Sequence, residues 1–315
     1  MSPTQRPAVV YAITSRGNDF HSVMTRVSAM SVRHSNPGLP IVLAVDAQTD
    51  RDMQAAGDPL LGIVDERVVV PTVETDRLLV NRSVKLQLRS VLAGDLLFLD
   101  SDTLVRGSLA PVLGADAEVA GARNHSRATR SEQVSARDQR ALEALGWPTR
   151  SEAYVNGGLL LMRDTPAVRA FAEDWHARWL LTRERCNDHR DQPSLNAALQ
   201  AMAARFCLLE DRFNAQFRPT PGVASGAVVW HYYASRAKHP LTGFELLVER
   251  VLGGTPLEES TVRRLLELDV PWHAENRVDR YVAARIERKG RMRRFDKHWL
   301  RRQPVRAGLC WLLGL

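Results

Sequence analysis

No stretch of this 315-residue chain approaches the roughly 18 uncharged apolar residues of a membrane-spanning helix, so none reads as one. Cysteine is scarce: Cys186, Cys207 and Cys310 are scattered and odd in number, which suggests a reducing compartment and no disulfide framework. Cys186-x-x-His189 has half the spacing of a metal site, but no second pair completes it. Lysine is also scarce. Only Lys85, Lys238, Lys289 and Lys297 occur, leaving arginine for 39 of the 43 basic residues. Genomic base composition accounts for that bias, so arginine abundance alone does not indicate phosphate recognition. No internal repeat is present. The opening "MSPTQRPAVVYAIT" lacks the charged-then-apolar plan of a signal peptide, so a cytoplasmic location is expected.

What remains is ordinary for a globular protein: 44% hydrophobic and 25% charged residues. The net charge of +7 is unevenly placed, however. Residues 277–306 carry 12 basic and 3 acidic side chains, a local +9 that leaves −2 for the rest. The body is close to neutral and the basicity is a tail.

Hydrophobic patterning alternates between strand and helix. Continuous apolar runs at 8–14 and 41–45 predict strands covered on both faces. Further strands are expected at 63–70, 96–100, 117–123, 154–162, 205–210 and 227–233. Helices are expected at 19–35, 77–93, about 135–145, 165–180 and 191–203. Thr165 caps the fourth of these, with Pro166 in its first turn. Such alternation implies an α/β domain with a single, mostly parallel twisted sheet flanked by helices. Residues 1–240 form the expected catalytic unit, with 124–151 as an insertion or lid. Residues 241–315 read as a helical region with a basic amphipathic tail.

The stretch "LLFLDSDT" (96–103) runs an apolar strand straight into two aspartates. Ligands of open α/β sheets bind at the carboxyl ends of strands, and residues two apart in an extended chain face the same side. Asp100 and Asp102 can therefore converge, and their repulsion calls for a cation such as Mg²⁺ or Mn²⁺; capping a turn is the alternative. A second such pair, Asp50 and Asp52, reads as a helix start. In "YVNGGLLLM", Asn156 precedes Gly157 and Gly158 at the start of a strand, where glycine signals close approach or a bulge. "DQPSLN" places Asp191, Gln192 and Asn196 on the first turns of a helix. Capping explains Asp191 but not Gln192. His231 ends the strand "VVWHYY", as a core residue or a metal ligand, and Lys238 follows at a distance suited to a phosphate.

In this order, "FLDSD", "VNGGLLLM", "DQPSLN" and "HYYASRAKHP" resemble glycosyltransferase family 8, over about residues 8–240. The resemblance implies a GT-A fold, a UDP-sugar donor, Mn²⁺ (or Mg²⁺) and hexosyl transfer with retention of configuration. It places Asp100 and Asp102 on the metal-binding pair, with Ser101 between them among the nucleotide-sugar contacts, and His231 as third ligand. Lys238 falls near the diphosphate, with Arg236 as an alternative. Asn156 and Gly157 fall in the donor-sugar and acceptor pocket, and Asp191 and Gln192 beside the reacting carbon. Thr14 and Asp19 fall near the nucleoside. Lys85 keeps a basic position on the helix before the metal strand, while the family's arginine there is displaced, with Ser83 in its place and Arg82 beside it.

Two other readings fit less well. A sugar-phosphate nucleotidyltransferase needs a glycine-rich basic loop after the first strand, where "TSRGNDF" has one glycine. A non-catalytic basic binding protein directed to nucleic acid is disfavoured by the body's −2 charge, so no nucleic-acid partner is expected. The acceptor is expected to be a glycan or lipid-linked glycan. Arginines interleaved with Phe295 and Trp299 in the tail suit an anionic membrane surface, contacted through 277–315 at its inner face. A charged helix packed on the body is the alternative.

Overall fold

The computed structural model describes residues 6–125, 134–148, 153–217, 221–232 and 242–271. In chain order the first half reads β1 (Ala8–Ala12), α1 (Phe20–Ser35), β2 (Ile41–Val45), α2 (Ala47–Ala55), β3 (Glu66–Val69), α3 (Arg77–Leu86), α4 (Leu88–Val91) and β4 (Leu96–Leu99). The second reads β5 (Thr103–Val105), α5 (Ala110–Leu113), β6 (Val119–Arg123), α6 (Ala136–Ala144), β7 (Val155–Met162), α7 (Pro166–Cys186), α8 (Gln192–Ala201), β8 (Phe206–Leu209), β9 (Val229–His231), α9 (Gly243–Leu252) and α10 (Glu259–Leu266).

Seven strands form the central sheet in the order β3-β2-β1-β4-β7-β6-β8. Every pairing is parallel except the two made by β7, which runs against β4 and β6. That reversal sets the amino end of β7 beside the carboxyl end of β4. Apolar residues alternate between the two faces, as strand geometry requires. Val9, Tyr11, Leu97, Leu99 and Leu161 pack with α1 on one face. Val10, Phe98, Leu160 and Met162 pack with Trp175 and Trp179 of α7 on the other.

The expected last strand, 227–233, shortens to β9 and leaves the central sheet. It pairs antiparallel with β5 in a two-stranded ribbon, with Thr103 opposite His231. Three residues, "TLV", carry too little periodicity for β5 to be read from sequence. Phe217, Trp230, Tyr232 and Phe244 lock this ribbon onto Phe20, Val23 and Val27 of α1, beneath α9 and α10. The expected helix 77–93 breaks at Gln87 into α3 and α4. α7 continues past 180 to Cys186, where Asn187 takes the left-handed conformation that ends it (φ 47°). Asp50 and Asp52 lie inside α2, whose start is capped by Asp46. Of the expected insertion, α6 is described; residues 126–133 and 149–152, Lys238 and the basic tail lie outside the described residues.

Arg89 anchors the strand ends remote from the aspartates. Its 1%-exposed guanidinium donates to the carbonyls of Gly94 (2.7 Å), Met162 (3.3 Å) and Leu92. Arg89→Met leaves those buried acceptors without their donor, so urea unfolding should register a loss of about 2–4 kcal/mol.

Candidate active site

Asp100 follows β4 directly, and its N–H donates to the Gly158 carbonyl of β7 (2.9 Å). Two residues later, the Asp102 carbonyl accepts the N–H of Tyr232, just past β9 (2.9 Å). The Asp-x-Asp segment is thus slung between the central sheet and the ribbon. Residues 101–102 form a turn, stabilised by Thr103 Oγ1 donating to the Asp100 carbonyl (2.8 Å). This corrects the extended-chain reading: the carboxylates converge because the chain turns from one sheet into the other. Thr25 of α1 donates to Ser101 Oγ (2.9 Å) and holds the turn from outside.

His231 completes the cluster. Its Nε2 lies 3.3 Å from Asp102 Oδ1 and 3.8 Å from Asp100 Oδ2, and one ligand atom of each residue falls within 4.8 Å of the others. A chain of buried amides orients the ring. Asn156 Nδ2 donates to Asn124 Oδ1 (3.1 Å), and Asn214 Nδ2 donates to Asn156 Oδ1 (3.0 Å). Asn214 Oδ1 is left to accept, so His231 Nδ1 is its donor (2.9 Å). Nε2 therefore presents its lone pair to two carboxylates, an arrangement that demands a proton or a metal ion. Burial works against a charged imidazole, but Asp102 and then Asp100 outweigh it and move the His231 pKa upward. Gly158 is required beside it, since a Cβ there would stand 2.8 Å from His231 Nδ1. The expected close approach at this glycine is made by the imidazole.

A second charged group faces the first. Lys85, buried at the end of α3, places Nζ 2.9 Å from Asp191 Oδ2 and 3.5 Å from Asp100 Oδ1, over the Phe98 ring. Arg82 Nη1 adds a contact to Asp191 Oδ1 at 3.4 Å. Asp191 precedes α8, yet its side chain makes no capping hydrogen bond; it points at these cations. Burial alone would push its carboxyl up, but Arg82 and Lys85 together hold it well below the usual carboxylate range. Gly157 leaves room here, because its Cβ would meet Lys85 Nζ at 3.3 Å. Gln192 accepts from the Gly157 N–H (3.2 Å) and donates to the Val155 carbonyl. Asn196 Oδ1 accepts from the Val155 N–H (2.7 Å). The first turns of α8 thereby brace the amino end of β7.

These groups line one cleft of about 670 Å³, within the range of small-molecule sites. Asp100, Ser101, Asp102, Lys85, Asn156, Gly157, Asp191, Gln192 and His231 all face it. Thr14 and Asp19 do not. Thr14 Oγ1 donates to the Arg77 carbonyl (3.3 Å), and Asp19 caps α1 while accepting from Ser15, Arg16 and Arg77. The wall nearby is formed by Ala12, Ile13, His21 and Met24. The polar atoms of Thr14 and Asp19 are engaged with the surrounding loop. Sequence reasoning missed Asn124, His125, Asp138 and Arg190, which form the far wall, and Asn214 behind it. Arg190 spans that wall, donating to both Asp188 oxygens and to Asp138 of α6.

The sheet order, the reversed strand and the cleft at the β4 end define the GT-A fold of nucleotide-sugar glycosyltransferases. Solved structures share it. The galactosyltransferase LgtC, determined with donor and acceptor sugar analogues, superposes with a TM-score of 0.51 at 18% identity, over 81% of this chain and 98% of that one. The glycosyltransferase GlyE of Streptococcus pneumoniae TIGR4 gives 0.50 at 15% identity, over 87% and 67%. The bifunctional glycosyltransferase WbbM gives 0.54 at 14%, over 84% of this chain and 53% of that one, so this chain spans about half of WbbM. At these identities the likeness is one of fold. No family model matches the sequence, and no curated protein does.

Lys85→Met removes the closer cation from Asp191. The depressed carboxyl contributes stability above its ordinary value of 3.8 and loses that contribution as pH falls below it. The variant should therefore be less stable by about 2–4 kcal/mol at pH 7. The gap to wild type should narrow by pH 3, measured by urea unfolding at both values. An equal gap at both would place the effect elsewhere.

Proposed function

We propose that this chain is a metal-dependent glycosyltransferase that moves a hexose from a UDP-sugar to a glycan or lipid-linked glycan acceptor, with residues 1–240 as the catalytic unit. One observation carries the reading: ligand atoms of Asp100, Asp102 and His231 converge within 4.8 Å at the carboxyl end of β4, on the wall of a nucleotide-sugar-sized cleft. The donor set fits Mn²⁺ or Mg²⁺. Two carboxylate oxygens suit a hard cation, and the imidazole nitrogen facing them is freed by the hydrogen bond that occupies the other. When bound, such an ion supplies electrostatic stabilisation of the leaving diphosphate.

The protein's own side chains divide the remaining work. Asp191, kept ionised by Lys85 and Arg82, faces the positive charge that builds on the sugar ring as its bond to phosphate breaks. A carboxylate held so far below neutrality is a poor proton acceptor at pH 7. That argues against Asp191 as the base of an inverting reaction; retention is what the family resemblance implies. Gln192 fixes the Val155–Gly157 backbone, on which Asn156 and Gly157 receive the donor sugar. Lys238 is assigned to the diphosphate, and Thr14 and Asp19 to shaping the loop beneath the nucleoside. The 124–151 segment, whose α6 borders the cleft, is assigned as a lid that excludes water.

No helix among the described residues is long and apolar enough to cross a membrane. We assign the basic tail, 277–315, to peripheral contact with anionic lipid at the inner face, where each engaged basic residue contributes about 1 kcal/mol.

Donor hydrolysis across a panel of nucleotide sugars should reveal a UDP-hexose turned over only with Mn²⁺ or Mg²⁺. Asp102→Asn should fold normally and lose about 10²-fold or more of that activity. Normal turnover in that variant would remove the metal assignment.

A further inference from the structure

A second cleft, of about 320 Å³, lies on the other side of α6. Arg137, Arg140, Ala141 and Ala144 line it from α6, at the spacing of one helical face. Arg185 enters from the end of α7 and Asp188 from the loop beyond. Three arginines from two elements therefore border one small depression together with Ala141 and Ala144.

Asp188 is the single carboxylate in this wall, and it is committed. Its Oδ1 accepts from the Arg190 N–H (3.1 Å), from Arg190 Nε (3.0 Å) and from Arg137 Nη2 (3.2 Å), and its Oδ2 accepts from Arg190 Nη2 (2.5 Å). It is 4% exposed. Arg140 and Arg185 are exposed and have no ion pair or hydrogen bond among the described residues. A solvated arginine face would scatter such groups or pair them i to i+4 along one helix, as Arg263 does with Glu259. Here they border one concave site from two elements, an arrangement that an anion would stabilise. Planar guanidinium forks suit the paired oxygens of phosphate or carboxylate.

The position links this cleft to the first. Ser135 and Asp138 of α6 face the catalytic cleft, while 137, 140, 141 and 144 face the second. Arg190 joins Asp188 on one side to Asp138 on the other. An α-helix with its side chains is about 10–12 Å across, so a group held there lies about that far from the catalytic cleft.

We propose that the Arg137–Arg140–Arg185 cleft is an acceptor subsite. It takes an anionic group, a phosphate or a uronate carboxylate, borne by the acceptor away from the hydroxyl that reacts. The role as an acceptor subsite rests on the glycosyltransferase reading; the anion site itself does not.

The test titrates full-length, metal-free protein with inorganic phosphate, glucuronate and glucose by calorimetry, alongside UDP with Mn²⁺. Arg140→Ala/Arg185→Ala should weaken phosphate or glucuronate binding at least about tenfold, leaving UDP–Mn²⁺ binding and thermal stability unchanged. Glucose should bind neither protein detectably. A response to phosphate alone assigns a phosphorylated acceptor, and a response to glucuronate an acidic sugar. Equal anion affinity in both proteins overturns the site. So does full displacement of phosphate by UDP, which would put the anion in the catalytic cleft. Arginine-dependent anion binding without any UDP–Mn²⁺ binding would keep the anion site and overturn its acceptor role.

Discussion

The structure depends on an electrostatic demand. Backbone hydrogen bonds to two different sheets hold Asp100 and Asp102 on one tight turn, so their carboxylates stand close together. Their charges must be met where they stand. Lys85 meets Asp100 from below, and His231 meets both from the ribbon, with Nε2 3.3 Å and 3.8 Å from the two carboxylates. The imidazole is held in turn, because Asn214 accepts from Nδ1, Asn156 accepts from Asn214, and Asn124 accepts from Asn156. The result is a cluster of two carboxylates and one imidazole on the wall of the cleft, a donor set suited to a cation that can also bind an anionic substrate.

The reversed strand β7 makes this compact arrangement possible. Its amino end carries Asn156, Gly157 and Gly158 to the same edge as the aspartates, where a parallel strand would have carried its carboxyl end. Both glycines serve the site by absence of a side chain. Gly158 admits the imidazole and Gly157 admits Lys85. α8 then braces that strand end with the amides of Gln192 and Asn196 and delivers Asp191 to the lysine. One lysine between two carboxylates thus couples the end of the cleft proposed to hold the metal to the end proposed to face the sugar ring.

Legibility in the sequence followed the kind of signal each residue emits. β4 and β7 were plain because buried strands read as unbroken apolar runs, and the aspartates stood out by ending one. The ribbon did not: β9 falls inside the expected 227–233 strand, but β5 has only three residues, and the pairing rests on the aromatic cluster behind them. Convergence of the aspartates was anticipated for a different reason, strand alternation, whereas a turn produces it. Asp191 looked like a helix cap, since its place before α8 is the cap position; only its neighbours show that its carboxylate is turned to Lys85. Asn124 and Asn214 are invisible, being single amides in unpatterned segments 32 and 58 residues from their shared partner Asn156. Thr14 and Asp19 sit in a local turn network that hydrophobic patterning does not announce.

The most direct measurement is an anomalous difference map, at the manganese edge, from crystals grown with Mn²⁺ and UDP. The account predicts one strong peak within about 2.0–2.4 Å of oxygens from Asp100 and Asp102 and of His231 Nε2, with diphosphate oxygens completing its shell. A map with no peak among these three residues, or with UDP bound and His231 Nε2 still facing the carboxylates across an ion-free gap, would contradict it.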